Sequence, residues 1–358
     1  MRRFIECLLP VTACNLKCSY CYIIQENRRN TAKAVFKYSP EVIKEGLTKE
    51  RLGGTCLISI TGSGETFIPK ELPAVVKGIL ENGHFVNITT NGTLSKQIGT
   101  LLSETEGYHQ YLHISFSFHY LELKKKNLLD CFFNNIKMVK KAGCSFLLQI
   151  NLCDDYLPYW EEIKEISLAN VGAYPQVALT RRESKNGYSV MSSLSFEEYV
   201  KKGKEMNSPL FDFTCKNFNV KRNEFCYAGL WSAKLNLCTG EMTGCYGLGI
   251  HQNIFDNVDK PIKFEPVGNH CQFKYCFNSS HFLSQGIIPE LLPLPSYGEL
   301  RNREEAHWYT KEMKEFLYKQ FECTNLLLTD KQKWLYNKKY VFNQIAQRIN
   351  NKLKKMFT

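Results

Sequence analysis

Three of the chain's fifteen cysteines stand together in Cys14-Asn-Leu-Lys-Cys18-Ser-Tyr-Cys21. Thiolates are the protein's ligands for soft metals and for iron–sulfur clusters. A structural zinc site asks for four ligands, often as paired Cys-x-x-Cys units. Here there are three thiols with unequal gaps and no histidine beside them. Three thiolates on a short loop suit a cubane cluster: they ligate three irons and leave the fourth open, and an open position is what a metal needs to bind a substrate.

Other residues invite chemistry with weaker signals. Thr180-Arg181-Arg182-Glu183 offers paired guanidinium groups that could clamp a carboxylate or phosphate, against the plainer reading of surface charge. Cys153 could give a hydrogen atom to a substrate radical, but a structural thiol explains it as well. His119 could be a ligand or an acid; a hydrogen-bonded histidine at a strand end is the simpler reading. Cys131 and Cys144, on and after an apolar helical pattern, read as packing residues. No phosphate loop, hydrolase signature or nucleic-acid module stands out.

These residues need elements to position them. The 358 residues, 44% hydrophobic and 23% charged, are ordinary for a soluble globular chain with a sizeable core. Runs of β-branched and aromatic residues predict strands at Phe4–Thr12, Cys56–Gly62, His84–Asn91, Tyr111–His119, Ser145–Cys153 and Tyr174–Arg181. Between them, apolar spacings of three and four predict helices over Pro40–Gly53, Pro69–Asn82, Ser95–Glu104, Asn127–Gly143, Tyr159–Gly172 and Ser195–Asn207. Six β/α units imply a parallel sheet, a partial (β/α)6 barrel with its site at the C-terminal strand ends. The cysteine loop follows the first strand, where such a loop belongs.

The pattern changes after residue 207. Residues 208–290 are rich in Cys, Gly and Asn, and Ser232–Leu237 and Glu241–Tyr246 flank a hairpin turn at Thr239-Gly240. Gly286–Pro295 is a Pro-punctuated connector. The expected organisation is a core at 1–207, a small cysteine-rich subdomain at 208–290 and a helical basic tail at 291–358. In that tail Phe342, Ile345, Ile349, Leu353 and Met356 form an apolar stripe. The net charge is +11, and residues 301–358 hold 13 Lys and Arg against 6 Asp and Glu. That excess is a solvated face or a landing surface for an acidic partner. With no apolar run of membrane-spanning length and no secretory signal pattern, the chain reads as cytoplasmic.

The cysteine loop resembles the radical S-adenosylmethionine (SAM) superfamily, whose motif is Cys-x-x-x-Cys-x-aromatic-Cys, with Tyr20 in the aromatic place. The resemblance implies that Cys14, Cys18 and Cys21 hold a [4Fe-4S] cluster with an open iron, and that Tyr20 lies against the adenine of SAM. It also implies that Gly62, Ser63, Gly64 and Glu65 receive the methionine ammonium. The family has Gly-Gly-Glu there and this chain has Gly-Ser-Gly-Glu, so the role of Glu65 transfers more securely than the choice of glycine. Thr89-Thr90-Asn91-Gly92-Thr93 ends the third strand in the same family order. Ser117, preferred over Ser115 for its place nearer the strand's end, and Asn151 are the further candidates for the SAM pocket.

Cys226, Cys245, Cys271 and Cys276 resemble the ligands of the SPASM/twitch-like extension, which holds one auxiliary iron–sulfur cluster. The four-residue gap between the last two departs from the usual tight spacing, Cys215 and Cys238 are spare candidates, and zinc fits four thiolates equally on chemistry alone. The implied activity is reductive cleavage of SAM to a 5′-deoxyadenosyl radical that takes a hydrogen atom from the substrate. An electron donor of the flavodoxin or ferredoxin type serves it, and no nucleic acid is expected. The substrate is a peptide or protein being crosslinked, oxidised or epimerised, or, alternatively, a sugar or aminocyclitol being dehydrogenated or epimerised. Against the first, the cysteine loop begins too early for a peptide-recognition domain before it. A non-catalytic iron–sulfur binding or electron-transfer protein is the reading from another class.

Overall fold

The computed structural model describes residues 1–182 and 188–340, together with Phe342. Six strands form in chain order: β1 Arg3–Leu9, β2 Cys56–Gly62, β3 Phe85–Thr90, β4 Leu112–Ser117, β5 Ser145–Leu152 and β6 Gln176–Leu179. Each lies parallel to the next. Strands covered on both faces read as near-continuous apolar runs, and Ile58, Ile60, Ile88, Ile114, Leu148 and Ile150 are all buried.

Amphipathic helices make the crossovers, among them Leu72–Glu81, Ser95–Glu104, Leu129–Lys141 and Trp160–Val171. The helix expected over 40–53 is two, Pro40–Gly46 and Lys49–Leu52, because the Thr48 side chain caps the second by accepting from Arg51 N. Further helices, among them Tyr120–Lys125 and Pro209–Asn217, arise where no helix was expected.

Beyond β6, Arg181–Arg182 (β7) and Ser189–Val190 (β8) pair antiparallel. The hairpin forms as Ser232–Asn236 (β9) and Glu241–Thr243 (β10), followed by Gln252–Asn253 (β11). Gly240 turns it at φ +76°, a left-handed conformation that suits glycine. β9 also pairs in parallel with β1, Cys7 opposite Leu235. The sheet therefore runs to nine strands, β11-β10-β9-β1-β2-β3-β4-β5-β6, across the boundary expected near residue 207.

One apolar core lies between the sheet and its helices. A second joins Phe4 and Leu57 to Trp231, Phe282, Tyr297, Leu317 and Phe321. The C-terminal part is helical and packs back: helix Lys311–Leu317 buries Met313 and Leu317, and Trp308 Nε1 donates to Val171 O at 3.0 Å. Residues 330–340 are helical. Of the expected apolar stripe only Phe342 lies within the described residues, and it is exposed. Among the described residues no helix is long and apolar enough to cross a membrane.

Candidate active site

The cysteine loop leaves the end of β1 and is zipped to the turn that leaves β2. Ser63 N donates to Leu9 O, Gly64 N to Val11 O and Glu65 N to Ala13 O. The approach is so close that a Cβ on Gly64 would stand 2.1 Å from Ala13 O, so the position admits glycine alone. Within the loop Cys21 N donates to Cys18 O at 3.1 Å. Cys14 Sγ receives Leu16 N at 3.5 Å and Asn91 Nδ2 at 3.7 Å.

Glu65 is 1% exposed, yet every oxygen is held. Its Oε1 accepts from Phe67 N at 3.0 Å and Thr90 Oγ1 at 2.7 Å, and its Oε2 from Asn91 N at 2.8 Å. Burial raises its carboxyl above the ordinary range, and these donors pull it back. Asn91 thus ties the carboxylate through its backbone and the Cys14 sulfur through its side chain, which also donates to Asn15 Oδ1 at 2.7 Å.

These residues converge on one cavity of about 410 Å³, lined by Cys14, Cys18, Tyr20 and Cys21 from the loop after β1, and by Gly62, Ser63, Gly64 and Glu65 from the end of β2. Asn91, Ser117 and Asn151 join them from the ends of β3, β4 and β5. Ser115 instead donates to Asn87 Oδ1 at 2.8 Å inside the barrel. The Tyr20 hydroxyl bonds His119 Nδ1 at 2.7 Å and Tyr156 at 3.1 Å, which fixes its ring at the cavity wall. Burial pushes His119 down to about 4, so it is a neutral partner to Tyr20. Burial also raises the Cys14 and Cys18 thiols, and the neighbouring Cys14 and Cys21 raise Cys18 further.

Arg181 lines the same cavity, donates to Phe277 O at 3.0 Å and stacks over Tyr188 at 4.8 Å. Arg182 is exposed and is not in the lining, because adjacent strand residues point to opposite faces. The paired clamp is therefore not assembled. Cys153 is buried, pushed by that burial up to about 12, and outside the lining.

Cys226, Cys245, Cys271 and Cys276 ring a second, small cavity of about 40 Å³ walled by apolar residues including Ala228, Val267 and Ile287. Burial first, then the neighbouring thiols, raises Cys226 and Cys245, and burial pushes Cys276 up to about 12. Cys238 is fully buried beside the hairpin and Cys215 sits on helix Pro209–Asn217; neither lines that cavity. Tyr275, Cys276 and Phe277 line both cavities. Among the described residues no three His, Cys, Asp or Glu side chains close on a point to hold a single ion. Both thiol sets surround space instead.

Some residues at the site carried no sequence signal. Arg29 lines the cavity and donates to Cys14 O at 2.7 Å, and Gln25 donates to Tyr20 O at 2.9 Å. Asn15, inside the cysteine loop, also donates to Thr93 Oγ1 at 2.7 Å.

Residues 8–156, from the end of β1 to just beyond β5, match the radical SAM superfamily. This part of the chain is a radical SAM domain. The superfamily is one of enzymes. Among solved structures, the fold resembles that of Streptococcus suis SuiB bound to S-adenosylmethionine, at 16% identity and TM-score 0.50, over 72% of this chain and 65% of SuiB. The match therefore spans less than two thirds of SuiB. SuiB bound to its precursor peptide SuiA matches at 18% identity and TM-score 0.48, over 72% of this chain and 64% of that one. Native anSMEcpe with bound AdoMet matches at 15% identity and TM-score 0.49, over 97% of this chain and all of that one. No curated protein sequence matches the chain.

Proposed function

We propose that this protein is a radical SAM enzyme that modifies a peptide or protein by hydrogen-atom abstraction. The observation that carries the reading is the convergence of three thiols, Glu65, Asn91, Ser117 and Asn151 from five successive strand ends on one cavity. Cys14, Cys18 and Cys21 would hold a [4Fe-4S] cluster. The donor set fits: three thiols face the cavity, and one sulfur already receives two N–H groups, the kind of hydrogen bond that tunes a cluster. When bound, the cluster supplies the electron that cleaves SAM to methionine and a 5′-deoxyadenosyl radical.

The chain's own residues bind and orient. Glu65 presents a carboxylate at the glycine turn for the methionine ammonium. Tyr20, braced by His119 and Tyr156, gives the adenine a fixed wall. Ser117 and Asn151 offer polar groups to the ribose side. Asn217, Asn219 and Asn278 also line the cavity; the Nδ2 groups of all three are held within the chain, by Phe213 O, Tyr188 O and Glu6, which leaves the amide oxygens of Asn219 and Asn278 as acceptors that suit peptide N–H groups. Arg181 adds a positive charge on the same wall. Cys226, Cys245, Cys271 and Cys276 would hold a second [4Fe-4S] cluster, whose chemistry is to accept or relay an electron. The wall shared through Tyr275, Cys276 and Phe277 places those thiols next to the cavity. A flavodoxin- or ferredoxin-type donor would reduce the enzyme.

The test is SAM cleavage by anaerobically reconstituted, reduced protein, with 5′-deoxyadenosine measured. Formation of 5′-deoxyadenosine is expected; none from a fully iron-loaded protein would overturn the reading.

A further inference from the structure

One stretch of the cavity wall, residues 275–281, ends in His281. The residue is partly accessible and lines the cavity, with its ring packed against those of Phe4 and Tyr297. Behind it lies Arg301, which is 2% exposed. Nη2 of Arg301 donates to Ser280 O at 3.0 Å and to His281 Nδ1 at 3.4 Å, Nη1 donates to Tyr297 O at 3.3 Å, and the guanidinium stacks on the Tyr297 ring at 3.7 Å.

Two consequences follow from elementary chemistry. A guanidinium can only donate, so the ring nitrogen facing it must be the acceptor. The Ser280 hydroxyl, 3.4 Å from the same nitrogen, can donate as well. The proton of the neutral ring then sits on Nε2. That atom has no partner among the described residues and is not one of the sealed, unsatisfied polar atoms, and the residue that carries it lines the cavity. Burial and the Arg301 charge both oppose a second proton, which leaves the ring neutral.

The charge behind the ring is also unbalanced. Among the described residues Arg301 has no carboxylate partner. Glu6, which like Arg301 acts on Tyr297, accepts instead from Asn278 at 3.0 Å and Tyr246 at 3.3 Å, and burial favours its protonated form. A buried cation without a counter-charge is costly unless an anion arrives.

We propose that His281 is a substrate-positioning residue: its Nε2–H, held in that tautomer by Arg301, donates to a carboxylate oxygen of the substrate within the cavity. This deepens the reading above and rests on it for the cavity's being the substrate site. It narrows the substrate to one carrying a carboxylate near the reacting carbon. Arg301 acts through the histidine, lending its charge to the bound oxygen without touching it.

The experiment uses ¹⁵N-histidine-labelled full-length protein, with the His281 signals assigned from their loss in His281→Gln. Nitrogen chemical shifts distinguish the two neutral tautomers from each other and from the cation. At neutral pH we expect Nε2 protonated and Nδ1 bare. Sodium acetate should then move the Nε2 signal saturably, where sodium chloride at equal ionic strength does not. A proton on Nδ1, a cationic ring, or an acetate response equal to that of chloride would each overturn the proposal. Arg301→Lys, which keeps a charge but offers a different donor geometry, should weaken the acetate response severalfold if it folds; the wild-type measurement stands without it. The readout does not depend on SAM cleavage. No SAM cleavage with the expected tautomer and acetate response would sink the enzyme reading and leave His281 as a donor to carboxylates without a substrate role, whereas cleavage with the wrong tautomer would sink this proposal alone.

Discussion

Glu65 has one acceptor site left. Its Oε1 takes two donors and its Oε2 one, so the free lone pair on Oε2 is available to an ammonium. Glu65→Gln would turn an NH₂ group toward a donor whichever way the amide faced, at a cost of roughly 1–3 kcal/mol for the orphaned group. The SAM-free variant should therefore melt lower than wild type, and it should bind SAM on the order of tenfold more weakly. Calorimetric melting and equilibrium SAM binding check the two halves; no change in either would mean the carboxylate is not the ammonium's partner. Gly64 is tested against Gly99 of helix Ser95–Glu104. Gly64→Ala drives a methyl into Ala13 O and should displace the cysteine loop, whereas Gly99, with nothing within 4 Å, should accept alanine with a gain of about 0.5–1 kcal/mol. Iron retained after gel filtration is the readout, and equal retention by both variants would contradict the zipped-loop geometry. At this scale the sequence was legible where types and spacing repeat a known pattern, as at Cys14, Cys18, Cys21 and Glu65. It was silent at Arg29 and Gln25, whose contacts arise because the chain turns back over the loop.

Among the elements, the six parallel strands were legible because most are runs of β-branched and aromatic residues ended by Gly, Asn or another polar residue. Ser95–Glu104 was read to the residue. The parallel pairing of β9 with β1 was not legible. A turn signal identifies a hairpin but not the sheet edge it joins, and that edge exists only because the partial barrel leaves β1 uncovered. Helix Pro209–Asn217 was missed for a related reason: the Cys- and Asn-rich composition beyond 207 hid a short helix. That helix hangs on Ser208, whose Oγ accepts from Val177 N at 2.9 Å and Phe211 N at 3.2 Å and donates to Gln176 Oε1 at 2.7 Å. One hydroxyl thus caps the helix and fastens it to β6. Ser208→Ala should cost about 2 kcal/mol, a lost cap plus a buried N–H left bare. Ser208→Thr should recover most of it. Urea unfolding measures both; an alanine variant as stable as wild type would show that the link is idle.

Across the whole molecule, two thiol-ringed cavities share a wall. Tyr275, Cys276 and Phe277 face both, so whatever fills the small cavity is a neighbour of whatever fills the large one. Reconstituted protein should carry about eight irons per chain, from two four-iron clusters. Serine at Cys226, Cys245, Cys271 and Cys276 together should leave about four. A wild-type value near four irons with one zinc would give the small cavity to zinc. The account's central claim is narrower than this inventory: Cys14, Cys18 and Cys21 make the large cavity a site of SAM cleavage. Its most direct test compares wild type with a variant carrying alanine at all three positions, both reconstituted and reduced without oxygen and then given SAM. The account predicts 5′-deoxyadenosine from the wild type and none from the variant; 5′-deoxyadenosine from the variant at the wild-type rate would contradict it.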